Sequence, residues 1–71
     1  MRPSLTRREA EVLELLAAGC RHSEVAQRLA ISPHTVSAHA KNIYRKLGVR
    51  SAVAAVSVAL ELRLIRSASH E

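Results

Sequence analysis

The chain has 71 residues, a formal net charge of +5, one cysteine, one tyrosine and neither tryptophan nor phenylalanine. This composition excludes a disulfide-stapled fold and argues against single-strand recognition by aromatic stacking; it suits one small domain with an acidic partner, nucleic acid before anionic membrane. All six acids are Glu, four of them lie at or before Glu24, and Val25 to Leu60 contains none, so the positive charge is segregated along the chain. The apolar run Ala52 to Leu60 is too short for a bilayer, which needs about 20 residues. No signal peptide precedes Arg7 and Arg8, and the lone Cys20 fits a reducing cytoplasm, the expected location.

Leu5-Thr6-Arg7-Arg8-Glu9 predicts a helix start, in which the Thr6 hydroxyl caps and Glu9, three residues on, completes a capping box. Val12, Leu13, Leu16 and Ala17 recur at helical spacing, and Gly19 can supply a left-handed closing residue, giving a first helix over about 6–18. A second, short helix over about 23–29 buries Val25, Ala26 and Leu29, with Ile31 plugging the core as the chain turns. Ser32 then caps a third helix over about 32–47, and Pro33 occupies its first position, where a missing N–H costs nothing. Val36, Ala40, Ile43 and Leu47 fall on one face of that helix; His34, Ala38, Lys41 and Arg45 fall on the opposite one. Gly48 ends it.

Ser51 caps a fourth helix over about 51–65, whose period places Val53, Val56, Leu60 and Leu64 inward and Ala55, Val58 and Leu62 on the far side. Residues 1–4 and 67–71 are expected to fray. The fold class is therefore all-α, a four-helix bundle-like domain in which a short helix, a tight turn and a longer helix form a helix-turn-helix. The small Ala26 lets the third helix cross the second closely.

Leu5-Thr6-Arg7-Arg8-Glu9-Ala10-Glu11-Val12-Leu13, then Gly19, Glu24-Val25-Ala26, Leu29, Ile31-Ser32, Thr35-Val36, His39, Asn42-Ile43, Lys46-Leu47 and Val49, resemble the LuxR/FixJ family of DNA-binding domains, in order and with family-like spacing from Leu5 to Ile65. The resemblance implies a single domain over 1–71, of the kind found as the C-terminal output module of a bacterial response regulator, that binds double-stranded DNA and regulates transcription. Relatives also dimerise through the fourth helix; a weak homodimer is expected here, and RNA polymerase is a candidate further partner. Three positions depart from the family. Arg21 stands where Ser commonly caps the second helix, so either Ser23 caps a shorter helix or Glu24 pairs with Arg21. Ser37 replaces a common Lys or Arg, and Ala52 replaces a common Arg.

In the third helix, Lys41 is the leading base reader, able to donate to guanine O6 or N7. Ala38 can meet a thymine methyl, and Ser37 and His34 flank the same face. Thr35, Arg45, Lys46, Arg50 and Ser51 are the phosphate candidates, the last helped by the free N–H groups that open the fourth helix. The competing explanations are ordinary ones: a solvated lysine, helix propensity at Ala38, and a first-turn role for Thr35. Ala55, Val58 and Leu62 form the expected dimer face. The four histidines lack metal-ligand spacing, no nucleophile–base pair or phosphate loop occurs, and neither cofactor nor enzymatic activity is expected. A sigma-factor-like promoter reader and a helical module that binds an acidic protein are the alternatives.

Overall fold

The computed structural model describes residues 3–66. It has four helices: α1 (Arg7–Ala17), α2 (His22–Leu29), α3 (Pro33–Leu47) and α4 (Ala52–Glu61). Their starts follow from local chemistry. The Thr6 hydroxyl accepts from the Glu9 N–H at 3.1 Å, and the Glu9 carboxylate accepts from the Thr6 N–H at 2.9 Å, so both halves of the capping box form. Ser32 and Ser51 cap α3 and α4 through the Thr35 and Ala54 amides, at 3.0 and 3.1 Å. In α2 a guanidinium cannot accept, so only the reciprocal half exists: the Glu24 carboxylate takes the Arg21 N–H at 2.7 Å. Glu24 thus pairs with Arg21 through its backbone, and α2 begins at His22, a residue earlier than the sequence suggests.

The four helices end in one way. Gly19, Ala30, Gly48 and Arg63 have positive φ, at 94°, 58°, 70° and 58°. The next residue then donates its N–H back five positions: Cys20 to Leu15, Ile31 to Ala26, Val49 to Tyr44 and Leu64 to Ala59, all within 2.8–3.0 Å. This closure satisfies helix-end carbonyls and turns the chain sharply. Each of those four donors also packs, partly buried, against the core. At Arg63 the same closure stops α4 at Glu61, four residues before the expected end, and returns Ile65 to the core.

The core comprises Val12, Leu13, Val25, Ala26, Val36, Ile43, Ala55, Ala59 and Ile65, with Leu16, Leu29 and Leu47 at its margin. α1 and α3 touch each other and both remaining helices; among the described residues α2 and α4 do not meet. Ala26 is buried where α2 meets α3, as its size predicts.

α4 corrects the sequence reading. Its buried residues are Ala55 and Ala59, whereas Val53 is 82% and Leu60 37% exposed. Val58 and Leu62, expected outside, are half-buried. The helix is rotated by about a third of a turn from the expected setting, and Val56 and Leu64, expected inward, still pack partly buried against the core. The reason is packing distance: alanines let α4 press closely on α1 and α3, and a row of Val and Leu would hold it away. Ala55 is therefore unavailable as a dimer contact.

The left-handed closures give a two-signed prediction. Ala30→Gly should raise stability by about 1 kcal/mol, because a Cβ disfavours the conformation that Ala30 already holds. Gly48→Ala should lower it by a similar amount, about 1 kcal/mol, even though no atom lies within 4 Å of the added methyl. Urea unfolding of both variants checks this; shifts of the same sign would mean that backbone conformation is not the controlling factor.

Candidate nucleic-acid interface

The free side of α3 is the distinctive surface. Its inner row, Val36, Ala40 and Ile43, is sealed in the core. That leaves His34, Ala38, Lys41 and Arg45 exposed on the opposite side, as the period predicts, with Ser37 half-buried at the flank. Ser37 and Ala38 are short, so a partner surface can come close to the helix backbone between His34 and Lys41. Among the described residues the Lys41 side chain makes no hydrogen bond or ion pair, which leaves its three N–H donors for a ligand. The Arg45 guanidinium only reaches the Asn42 side-chain oxygen, at 3.5 Å, the long limit of a hydrogen bond.

Thr35 is held by the cap. The Ser32 hydroxyl oxygen accepts from the Thr35 N–H and lies 2.9 Å from the Thr35 hydroxyl. When Ser32 donates across that contact, the Thr35 hydroxyl hydrogen is left to point outward, so the first-turn role and an outward donor role are compatible. Arg50 and Ser51 are exposed beside the start of α4. The Ser51 hydroxyl is spent on the Ala54 amide, and the Ala52 and Val53 amides have no acceptor within the helix, which suits an anion.

Lys46 is placed differently. Its ammonium lies 2.7 Å from the Glu9 carboxylate, 37 residues away in sequence, and joins the end of α3 to the start of α1. The Glu9 side chain is 6% exposed and that of Lys46 37%. Burial pushes the Glu9 carboxyl up, but Lys46 and the Thr6 cap outweigh it and hold the pKa below its ordinary 4.5. Lys46, expected among the phosphate contacts, thus differs from Arg45 and Arg50 in having its charge matched by a carboxylate within the protein. The sequence held a signal for this, since Lys46 lies about a quarter turn from the inner row rather than with Lys41 and Arg45. Local spacing gives Glu9 a role only in the Thr6 cap.

The histidines and Cys20 do not converge: among the described residues no three His, Cys, Asp or Glu side chains could hold a metal ion, and no helix is long and apolar enough to cross a membrane. An apolar groove of about 230 Å³ lies between α1 and α4, lined by Leu16, Ala17, Ala52, Val53 and Val56.

Comparison with known proteins places this geometry. Residues 3–59 match the family described as GerE, bacterial regulatory proteins, luxR family. The chain is 48% identical over 59 residues to the nitrate/nitrite response regulator protein NarP of Escherichia coli, covering 83% of this chain and 27% of that protein. The structure of the transcription factor GerE matches with a TM-score of 0.83 at 34% identity, over 87% of this chain and 92% of that one. A VqmA–ligand–DNA complex from Vibrio cholera matches with a TM-score of 0.79 at 32% identity, over 87% of this chain and 27% of that one. The chain spans between 27% and 29% of the length of the curated relatives first matched.

The buried carboxylate makes stability depend on pH. Because the folded-state pKa of Glu9 is depressed, its contribution is fully present above 4.5 and is lost as the pH falls through the lower folded value. Thermal unfolding of the parent should weaken below that pH more steeply than that of Glu9→Gln. At neutral pH, Lys46→Met should lower stability by about 1–3 kcal/mol, since it strips a nearly buried carboxylate of its partner. Parallel acid profiles for parent and Glu9→Gln would refute the assignment.

Proposed function

The chain belongs to the luxR family of bacterial regulatory proteins, and we propose that it binds double-stranded DNA through α3 in the major groove, as the output domain of a larger transcription regulator. The observation that carries this reading is the exposed row His34, Ala38, Lys41 and Arg45 on a helix whose opposite face is locked in the core. An α-helix of this kind fits the major groove, where base edges are distinguishable. Lys41 donates to guanine, Ala38 meets a thymine methyl, and Ser37 and His34 make the flanking contacts. Thr35, Arg45, Arg50 and the Ser51 turn hold the phosphate backbone and fix the register. A structural relative, VqmA, has been solved in complex with DNA. Family membership favours this reading over a sigma-factor-like reader or an acidic-protein binder.

A regulator of transcription acts on RNA polymerase directly or by occluding it, so polymerase completes the partner set, and the cytoplasm is the place of action. Self-association through α4 belongs to the same proposal, on a corrected face. Val53 and Leu60 project outward, and Val56 joins them beside the groove formed with Leu16 and Ala17. One small domain offers few phosphate contacts, and a second copy doubles them and reads a second half-site.

Selection of bound sequences from random duplexes, followed by competition binding, tests the reading. Lys41→Ala should lose discrimination at one base position, by about 1–3 kcal/mol, and leave other positions unchanged. A uniform loss across all sequences would demote Lys41 to a phosphate contact. Arg45→Ala and Arg50→Ala should each flatten the log–log salt dependence by about one unit; slopes matching the parent would assign both charges to solvent. For the α4 face, Val53→Glu should keep the parent's melting behaviour and its affinity for one half-site but abolish cooperativity on two. Retained cooperativity would remove α4 from the interface.

A further inference from the structure

We infer that Glu9 is a positioning residue that withholds Lys46 from the cations neutralising DNA phosphates, so that the last turn of α3 approaches the backbone as a net-neutral pair. This rests on the DNA-binding reading above. The observations are independent of it: a 2.7 Å contact between the Lys46 ammonium and the Glu9 carboxylate, and a Glu9 side chain only 6% exposed. The same carboxylate oxygen takes the Thr6 N–H at 2.9 Å, which ties it to the first turn of α1.

Release of Lys46 to a phosphate would strand that carboxylate, nearly buried, with one neutral N–H donor. Leaving a buried charge without its counter-charge is the costly half of breaking such a pair. A phosphate offers no compensation inside the protein, and the exposed anion would repel the uncovered carboxylate. Lys46 therefore stays with Glu9. An ammonium has three donors, so it can still give a hydrogen bond to a backbone oxygen from that position. Such a contact adds attraction without net charge. It releases no condensed counterion, because counterion release follows the net positive charge brought to the phosphates. Arg45 and Arg50, which form no ion pair among the described residues, differ from Lys46 in this respect.

The salt dependence of binding separates the two kinds of cation. Binding of the 71-residue chain to its selected duplex is measured from low to moderate salt for the parent, Lys46→Met, Glu9→Gln and the double variant. Circular dichroism at the working temperature accompanies each titration to establish that the variant is folded. Lys46→Met leaves the Glu9 carboxylate bare, a net loss of one charge, and serves only as the step to the double variant, in which both charges are gone. Glu9→Gln should steepen the slope by about one unit, because Lys46 then counts as a free cation. The double variant should return to the parent's slope. A slope flattened by about one unit in the double variant overturns the inference, and so does a parent-like slope in folded Glu9→Gln. If Glu9→Gln does not fold, the double variant alone decides between the same two outcomes. Failure of the parent to bind any duplex would overturn the DNA-binding reading and this inference with it, whereas binding with the wrong variant slopes overturns this inference alone.

Discussion

One helix with two opposite duties constrains everything else in this chain. α3 supplies Val36, Ala40 and Ile43 to the core and presents His34, Ala38, Lys41 and Arg45 to solvent. A 15-residue helix can do both only if its rotation is fixed, because a turn of one residue, about 100°, would bury a cation and expose Ile43. The other helices fix that rotation. α1, α2 and α4 all pack against α3. The alanines at 26, 40, 55 and 59 bring these helices close enough for so few side chains to exclude water.

Economy of connection serves the same end. Four left-handed closures reverse the chain within two or three residues, and each delivers an apolar side chain to the core margin directly after the turn. The loops thus contribute to packing as well as to direction. Glycine would ease this conformation, yet the chain uses it at two of the four positions and tolerates Ala30 and Arg63 at the others. At Ala30 the closure leads straight into Ile31 and the Ser32 cap, so the α2–α3 turn sets the start of α3 against α2.

The parts legible in the sequence are those governed by neighbours along the chain. Caps at Thr6, Ser32 and Ser51, stops at Gly19 and Gly48, and both faces of α3 follow from spacing alone, because α3 alternates apolar and polar residues at a clear period. α4 offers no such contrast. From Ala52 to Leu60 every residue but Ser57 is apolar, so the period distinguishes large from small, not inside from outside. Assigning the large residues inward mistook size for fit: Val53 and Leu60 point out because Ala55 and Ala59 allow the closer approach. Lys46–Glu9 was illegible for another reason. Its partners are 37 residues apart, and each already had a plausible local role. A cation count taken from sequence cannot distinguish a matched charge from an available one.

That distinction bears on how the domain divides affinity from selectivity. Ser37 and Ala52 remove long cations where relatives commonly carry them, and the Glu9 pair offsets the charge of Lys46. On the proposed DNA-binding reading, the electrostatic, sequence-independent share of binding is thereby reduced, while Lys41 keeps its donors at the centre of the exposed row. A phosphate contribution shared by right and wrong sites cancels from the difference that sets discrimination, so lowering it weakens binding everywhere and leaves the ratio to the base contacts. The cost is a weak single domain. Two copies joined across the outward face of α4 would restore affinity through effective concentration without restoring indiscriminate charge. On this reading the apolar side chains of Val53, Val56 and Leu60 and the neutral pair at Lys46 are two parts of one arrangement: the first supplies the affinity that the second gives up.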